Sequence, residues 1–175
     1  MADADAPDHQ AAVYVIDTSA LVDLRLDYPL TVFARLWDRF VSLARDGRLL
    51  APEEVRHELG RRDDELKRWA SGVEGLFRAP DVAFMASLAR VVREFEDLVD
   101  LGRRYSADAW VVALALQLHE SEQATLFPRP CVVITHERRE TNPGARLRIP
   151  NACDHYGLGC LRLRDVFVAE GWQDL

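Results

Sequence analysis

Lysine is almost absent from this sequence, and acidic side chains outnumber basic ones. Lys67 is the only lysine, and 22 basic against 29 acidic residues give a formal net charge of −7. Proteins that coat polyanions without specificity are usually basic, so this balance argues against that class. It does not exclude a nucleic-acid ligand, because metal ions held by clustered acids would supply positive charge that the formal count omits.

Cysteines and long apolar runs are also scarce. Cys131, Cys153 and Cys160 form no C-x-x-C pair, which favours reduced thiols over a disulfide framework. The longest apolar run, Trp110–Leu116, is too short to cross a bilayer, so no membrane partner is expected. Residues 1–11 are polar and resemble no signal peptide. We therefore expect a disordered tail over 1–11 and a cytoplasmic protein.

The most informative stretch follows this tail. Val13–Ile16 is a short, unbroken apolar run, mostly β-branched or aromatic, which is typical of a strand buried on both faces. Asp17 then falls at the carboxyl end of the strand, where open α/β sheets place their ligand crevice. The hydroxyls of Thr18 and Ser19 are predicted to cap the helix that follows.

Strand and helix signals alternate along the rest of the chain. Cys131–Thr135 is a second predicted buried strand, and Gly159–Leu161 a short edge strand. We expect helices from Phe33 to Gly47, from Pro52 to Gly60, from Asp81 to about Leu101, and after Ser106, with a break at 76–80 and a mobile loop over 137–148. This order predicts an α/β protein, a three-layer α/β/α sandwich with a mainly parallel central sheet. It forms one domain over 12–175, with a helical insert around 61–101.

Three further acids lie next to apolar packing as Asp17 does. Glu58 is near the carboxyl end of its helix, where its negative charge interacts unfavourably with the helix dipole. The helix alone therefore does not explain an acid at this position. Asp108 is in the first turn of an apolar helix, and Glu137 comes two residues after Thr135 at the end of the second strand. For Glu58 and Asp108, a plain surface acid and a plain first-turn acid remain the alternatives.

Carboxylates gathered on one rim without cations would repel one another. Such a cluster is stable only if it is protonated or if a hard divalent cation neutralises it, and oxygen ligands select Mg²⁺ or Mn²⁺ over zinc. Because these ions bridge to phosphate oxygens, phosphodiester hydrolysis is the natural chemistry. The histidines show no zinc spacing, and His136 is interpreted as an exposed loop histidine.

In this order and spacing, the motifs resemble the PIN domain. They are Val-Ile-Asp17-Thr-Ser-Ala-Leu, Glu58-Leu-Gly, Ala-Asp108-x-Trp-Val-Val-Ala and Val-Ile-Thr135-x-Glu137. The chain is especially similar to an uncharacterised PIN-like bacterial family related to VapC-type toxins, which it also resembles in Leu50-Ala-Pro-Glu-Glu-Val and in the segment from Ile149 to Trp172. The resemblance covers nearly the whole chain after the tail.

The resemblance implies an α/β/α sandwich with Mg²⁺- or Mn²⁺-dependent ribonuclease activity on single-stranded RNA. It implies that Asp17, Glu58 and Asp108 bind the metal and that Glu137 is the fourth acid. The chain departs from the pattern at Glu137, where many PIN nucleases carry Asp. The segment 61–101 is larger and more helical than in compact PIN toxins.

Our leading hypothesis is an endoribonuclease, the toxin of a toxin–antitoxin pair. Thr18, Ser19 and Thr135 would orient the acids, and candidate RNA-binding residues are Arg103, Arg104, Arg138 and Arg139. Candidate partners are RNA, an antitoxin protein and a second copy of the chain. The alternative is a catalytically weak or inactive interaction module. Phosphoryl transfer on Asp17 is disfavoured, because such hydrolases need an Asp where this chain has Ser19.

Overall fold

The computed structural model describes residues 11–60, 64–99 and 106–172. Five parallel strands form one sheet in the order β3-β2-β1-β4-β5. The strands are β1 Val13–Ile16, β2 Leu49–Pro52, β3 Phe77–Arg78, β4 Cys131–Ile134 and β5 Gly159–Leu161. Helices flank this sheet, which confirms the predicted three-layer α/β/α sandwich. All the described strands are parallel, whereas the sequence predicted only a mainly parallel sheet.

Eight α-helices lie in the described ranges. They are α1 Thr18–Asp27, α2 Ala34–Arg45, α3 Glu53–Leu59, α4 Asp64–Gly72, α5 Val82–Glu94, α6 Asp108–Gln123, α7 Ile149–Tyr156 and α8 Leu163–Ala169. A 3₁₀ turn, Glu96–Leu98, follows α5. None of these helices combines the length and the apolar character that a membrane span requires.

The core lies between the central strands and α6. Every residue of β1 and β4 is buried, and so is α6 from Val111 to Leu116. An apolar helical segment such as Val111–Leu116 is stable only when neighbours cover it, and α6 packs against α5, α7 and strands β1, β2 and β4. The prediction of a buried apolar helix with Asp108 at its start is confirmed.

The strand order fixes where a ligand can bind. From β1 the chain moves through β2 to β3 on one side, and it later returns on the other side to form β4 and β5. Ile16 pairs with Ile134, so β1 and β4 end together. Connections leave the sheet in opposite directions at this pair, and open parallel sheets bind ligands in the crevice that results. Asp17 and Thr135 both lie at this switch point.

Several predicted boundaries were wrong in detail. Asp17, rather than Thr18 or Ser19, caps α1, because its carboxylate accepts the backbone N–H of Ser19. Ser106 does not cap α6: Ala107 is the N-cap, and the Ser106 hydroxyl donates to the carbonyl of Leu98. The predicted helix from Asp81 keeps its Asp81 cap but ends at Glu94, short of Leu101.

Residues 76–80 were expected only to break the helical pattern. They contain β3, which pairs with the end of β2. Pro52 ends β2 and is the N-cap of α3 rather than its first residue. Gly47 adopts a φ of +67° just after α2, as expected for a residue that ends a helix. The tail residues 1–10 lie outside the described residues, as do 61–63 and 100–101 of the predicted insert and residues 102–105.

Candidate metal centre

Asp17 is the most deeply buried acid of the crevice. Its side chain is 3% exposed and accepts hydrogen bonds from the Ser19 hydroxyl at 2.5 Å, the Thr135 hydroxyl at 3.0 Å and the Ser19 backbone N at 3.3 Å. Burial raises the pKa of Asp17, the Ser19 hydrogen bond lowers it, and the nearby Glu137 carboxylate raises it again. The two hydroxyls therefore stabilise and orient a charge that burial opposes.

Glu58 joins Asp17 through the start of α1. The Thr18 hydroxyl donates to Glu58 Oε2 at 2.6 Å, and both residues are buried, with Glu58 only 8% exposed. The alternative of a plain surface acid is therefore wrong for Glu58. Because Thr18 directly follows Asp17 in sequence, this bond brings the end of α3 to the end of β1.

Asp108 reports the charge of the whole crevice. Burial raises its pKa to about 7, and the next causes are the carboxylates of Asp17, Glu137 and Glu58, in that order. The charge of Arg146 acts in the opposite direction. All three of the other predicted acids are therefore within electrostatic reach of Asp108, although the four residues come from four separate parts of the chain.

Glu137 occupies the outer side of this cluster and is half-buried. Its Oε2 accepts the backbone N–H of Ile149, the first residue of α7, at 3.0 Å. Its Oε1 lies 3.5 Å from Arg148 Nη1. Glu137 is thus held by a helix start and by an arginine, unlike the buried Asp17.

The three predicted supporting hydroxyls all contact the crevice. Thr18 donates to Glu58, while Ser19 and Thr135 donate to Asp17. The same two hydroxyls also accept backbone N–H groups from the β4–α7 loop, Ser19 from His136 at 3.0 Å and Thr135 from Glu137 at 3.1 Å. They therefore tie the ends of β1 and β4 together.

The predicted RNA-binding arginines lie less close to the acids. Arg138 and Arg139 are exposed, and Arg139 forms an ion pair with Asp154 at 2.5 Å. Arg103 and Arg104 lie outside the described residues. Two arginines that the sequence did not indicate act on the acids: Arg148 pairs with Glu137, and the charge of Arg146 acts on Asp108. Both follow the turn-forming Asn142-Pro143-Gly144, and no local pattern indicates which way they face.

His136 is exposed, as expected, and its Nδ1 pairs with Asp23. A groove of about 400 Å³ opens beside the acids on the β5 side. Its lining includes Thr135, Glu137, Arg138, Arg139 and Arg162. An extended ligand could therefore enter along the ends of β4 and β5.

Comparison with known families gives one match. The family described as Domain of unknown function (DUF4411) matches residues 14–174. The chain belongs to the DUF4411 family. No curated protein matches it. The matched segment runs from β1 to beyond α8 and includes all four acids, but its description names no activity. The resemblance to the PIN domain stays a prediction.

The donor set of this DUF4411 member fits a hard divalent cation in its chemistry. Four carboxylates and no thiolate or imidazole form the cluster, and oxygen ligands are those that Mg²⁺ and Mn²⁺ prefer. The pKa of Asp108 is raised first by burial and then by repulsion from the other three carboxylates, and a bound cation would offset both. Within the described ranges, however, no three His, Cys, Asp or Glu side chains are close enough to form a ligand shell.

Thr18 offers a test of the link between α1 and α3. We expect Thr18→Val to weaken Mn²⁺ binding by about tenfold or more, because a lost supporting hydrogen bond misorients a ligand. Isothermal titration with MnCl₂ measures this. Thr125→Val is the matched control, since the Thr125 hydroxyl donates to a backbone carbonyl in a remote exposed turn. An unchanged affinity in Thr18→Val would mean that Glu58 does not bind the ion.

Proposed function

We propose that this DUF4411 protein is a Mg²⁺- or Mn²⁺-dependent endoribonuclease that hydrolyses single-stranded RNA. The observation that carries the proposal is the environment of Asp108. Its pKa is raised to about 7 by burial and by three other carboxylates at the switch point of a parallel sheet. Acids brought together in this way oppose folding unless they are protonated or neutralised by a cation, and metal-assisted phosphodiester hydrolysis is the chemistry that best uses such a cluster.

Each residue of the crevice has a role in this proposal. Asp17, Glu58 and Asp108 would hold the ion, and Glu137 would complete the cluster from its outer side. When bound, the ion would supply the positive charge that activates water and polarises the scissile phosphate. Thr18, Ser19 and Thr135 hold the carboxylates in fixed rotamers through the hydrogen bonds described above. The buried crevice keeps bulk water away from Asp17, which strengthens its electrostatic interactions.

The choice of RNA and the biological role rest on the resemblance to PIN nucleases. We propose that the protein acts as the toxin of a toxin–antitoxin pair. Induced expression would then arrest growth, and co-expression of the neighbouring gene would relieve the arrest. Growth at the same rate with and without induction would contradict the toxin role while leaving the nuclease activity to be measured on its own.

The direct test uses the purified wild-type protein. We expect millimolar Mn²⁺ to raise its melting temperature and to support cleavage of a fluorescently labelled single-stranded RNA, with both effects abolished by EDTA. Duplex RNA and single-stranded DNA of the same sequence serve as comparison substrates. Absence of both the thermal shift and the cleavage would refute the proposal.

Two observations favour a second candidate, a PIN-like interaction module without useful catalysis. The described carboxylates form no closed ligand shell, and Glu137 already has an ion pair with Arg148. In such a module the cluster would stay free of metal and Arg148 would neutralise Glu137 permanently. A protein that is stable, does not bind Mn²⁺ and does not cleave RNA would favour this candidate.

A further inference from the structure

The loop between β4 and α7 is anchored over the crevice. Near its start, Glu140 is held by Asn151 of α7, whose side chain accepts the Glu140 N–H at 3.0 Å and donates to its carbonyl at 2.9 Å. Near its end, Arg146 Nε donates to the carbonyl of Asp97 at 2.7 Å, and the Leu147 N–H donates to the Asp97 carboxylate at 3.1 Å. The segment that we expected to be a mobile loop is therefore fastened at both ends.

The anchored loop carries two arginines that act on the acids. Arg148 Nη1 lies 3.5 Å from Glu137 Oε1. Arg146 is the one cation among the leading influences on Asp108. The two arginines therefore act on two different members of the cluster, Arg148 through an ion pair and Arg146 through its charge. Both remain exposed, Arg148 with 52% of its side chain accessible, so a ligand can reach them.

We propose that Arg146 and Arg148 form a phosphate clamp that binds the RNA backbone beside the scissile bond. This inference rests on the proposed function, because the clamp needs a substrate held by the four acids. Once a cation neutralises the carboxylates, the Arg148 guanidinium would exchange Glu137 for a phosphate oxygen, and the charge of Arg146 would attract the same phosphate. The planar donor geometry of a guanidinium group matches phosphate, and such charge-assisted bonds are among the stronger ones in proteins.

The clamp also explains why an acidic protein can bind a polyanion. The net charge of −7 offers no general attraction to RNA, so affinity has to come from a few cations placed next to the reactive phosphate. Arg139 is less suited to this task, because its partner Asp154 is not one of the four acids, so a bound cation would not release it. Arg138 faces the neighbouring groove and would contact nucleotides further from the reactive phosphate.

Cleavage kinetics in Mn²⁺ test the clamp. We expect Arg148→Gln and Arg146→Ala each to raise KM for single-stranded RNA by about tenfold, as loss of a charge-assisted phosphate contact predicts. The dependence of log KM on log salt should become shallower by about 0.7 for each lost contact. Arg93→Ala, which removes an exposed arginine on α5, is the matched control and should leave KM and the salt dependence unchanged.

The outcomes separate this inference from the proposed function. Arg148→Gln is the cleaner variant, because the backbone N–H of Arg148 still bonds to Asn151 after substitution. A wild type that cleaves RNA, with Arg148→Gln and Arg146→Ala retaining its KM and salt dependence, would overturn the clamp alone. A lower melting temperature with unchanged KM would also overturn it, since that result means a purely structural role. A wild type that does not cleave would refute the nuclease proposal instead.

Discussion

Replacing Asp17 by Asn is expected to abolish RNA cleavage, with a loss of about a thousandfold or more, because a metal-dependent site supplies several kcal/mol of transition-state stabilisation. The amide is nearly the same size as the carboxylate and can still accept hydrogen bonds from Ser19 and Thr135 through its oxygen. The fold should therefore survive. The measurement is initial-rate cleavage of labelled single-stranded RNA in Mn²⁺, with the melting temperature recorded in parallel.

The matched control for this variant is Asp23→Asn, on the same helix. Asp23 pairs with His136 and is not one of the four clustered acids, so we expect a rate close to that of the wild type. Asp17→Asn and wild-type preparations that cleave at the same rate would indicate a contaminating nuclease and would favour the interaction module.

The second large expected effect concerns the stability of Asp108→Asn relative to the wild type, which should depend on whether Mn²⁺ is present. In EDTA at pH 8, we expect Asp108→Asn to be more stable than the wild type by about 2 kcal/mol. The rise in pKa from 3.8 to about 7 costs the ionised form about 4 kcal/mol, and the polar amide of Asn keeps part of that burial cost. In Mn²⁺ at a hundredfold excess over its Kd, the wild type alone should gain about 2.7 kcal/mol. The difference in stability between the wild type and Asp108→Asn should therefore disappear or change sign. Urea unfolding in the two buffers measures both values.

The pH dependence of the metal-free protein follows from the same pKa. The folded state holds the Asp108 proton up to a pH of about 7, whereas the unfolded state releases it near 3.8. Between these values the folded state binds more protons, so the free energy of unfolding falls as pH rises through this window. This contribution should be absent in Asp108→Asn. Asp81→Asn is the control, because Asn caps a helix as well as Asp does. Parallel pH profiles for wild type and Asp108→Asn would contradict the burial and crowding of this acid.

Local pattern was enough to predict much of the fold. The runs Val13–Ile16 and Cys131–Ile134 are buried strands because an unbroken apolar segment is stable only when both faces are covered. The helix after Asp108 is buried for the same reason. The predictions that were wrong concern features with weak local sequence signals. The strand β3 has only two residues, and its pairing with β2 depends on the neighbouring strand rather than on its own composition.

The cap of α1 was predicted wrongly for a related reason. Asp17, Thr18 and Ser19 are all residue types that cap helices, and the sequence does not show which of these side chains bonds to another part of the protein. In the folded protein Thr18 bonds to Glu58 and Ser19 bonds to Asp17, so Asp17 is the residue left to cap α1. The Thr18–Glu58 hydrogen bond, between residues 40 positions apart, therefore helped to determine which residue caps α1.

The sequence by itself determined the fold class and the position of the acids next to strand and helix ends, since both follow from hydrophobic pattern over a few residues. Only the tertiary structure decided that Asp17, Glu58, Asp108 and Glu137 share one electrostatic environment, because that depends on the order of strands brought together from distant parts of the chain. It alone also placed Arg146 and Arg148 against them. The direction in which a polar loop presents its side chains depends on its anchors, Asp97 and Asn151, and not on its own residues.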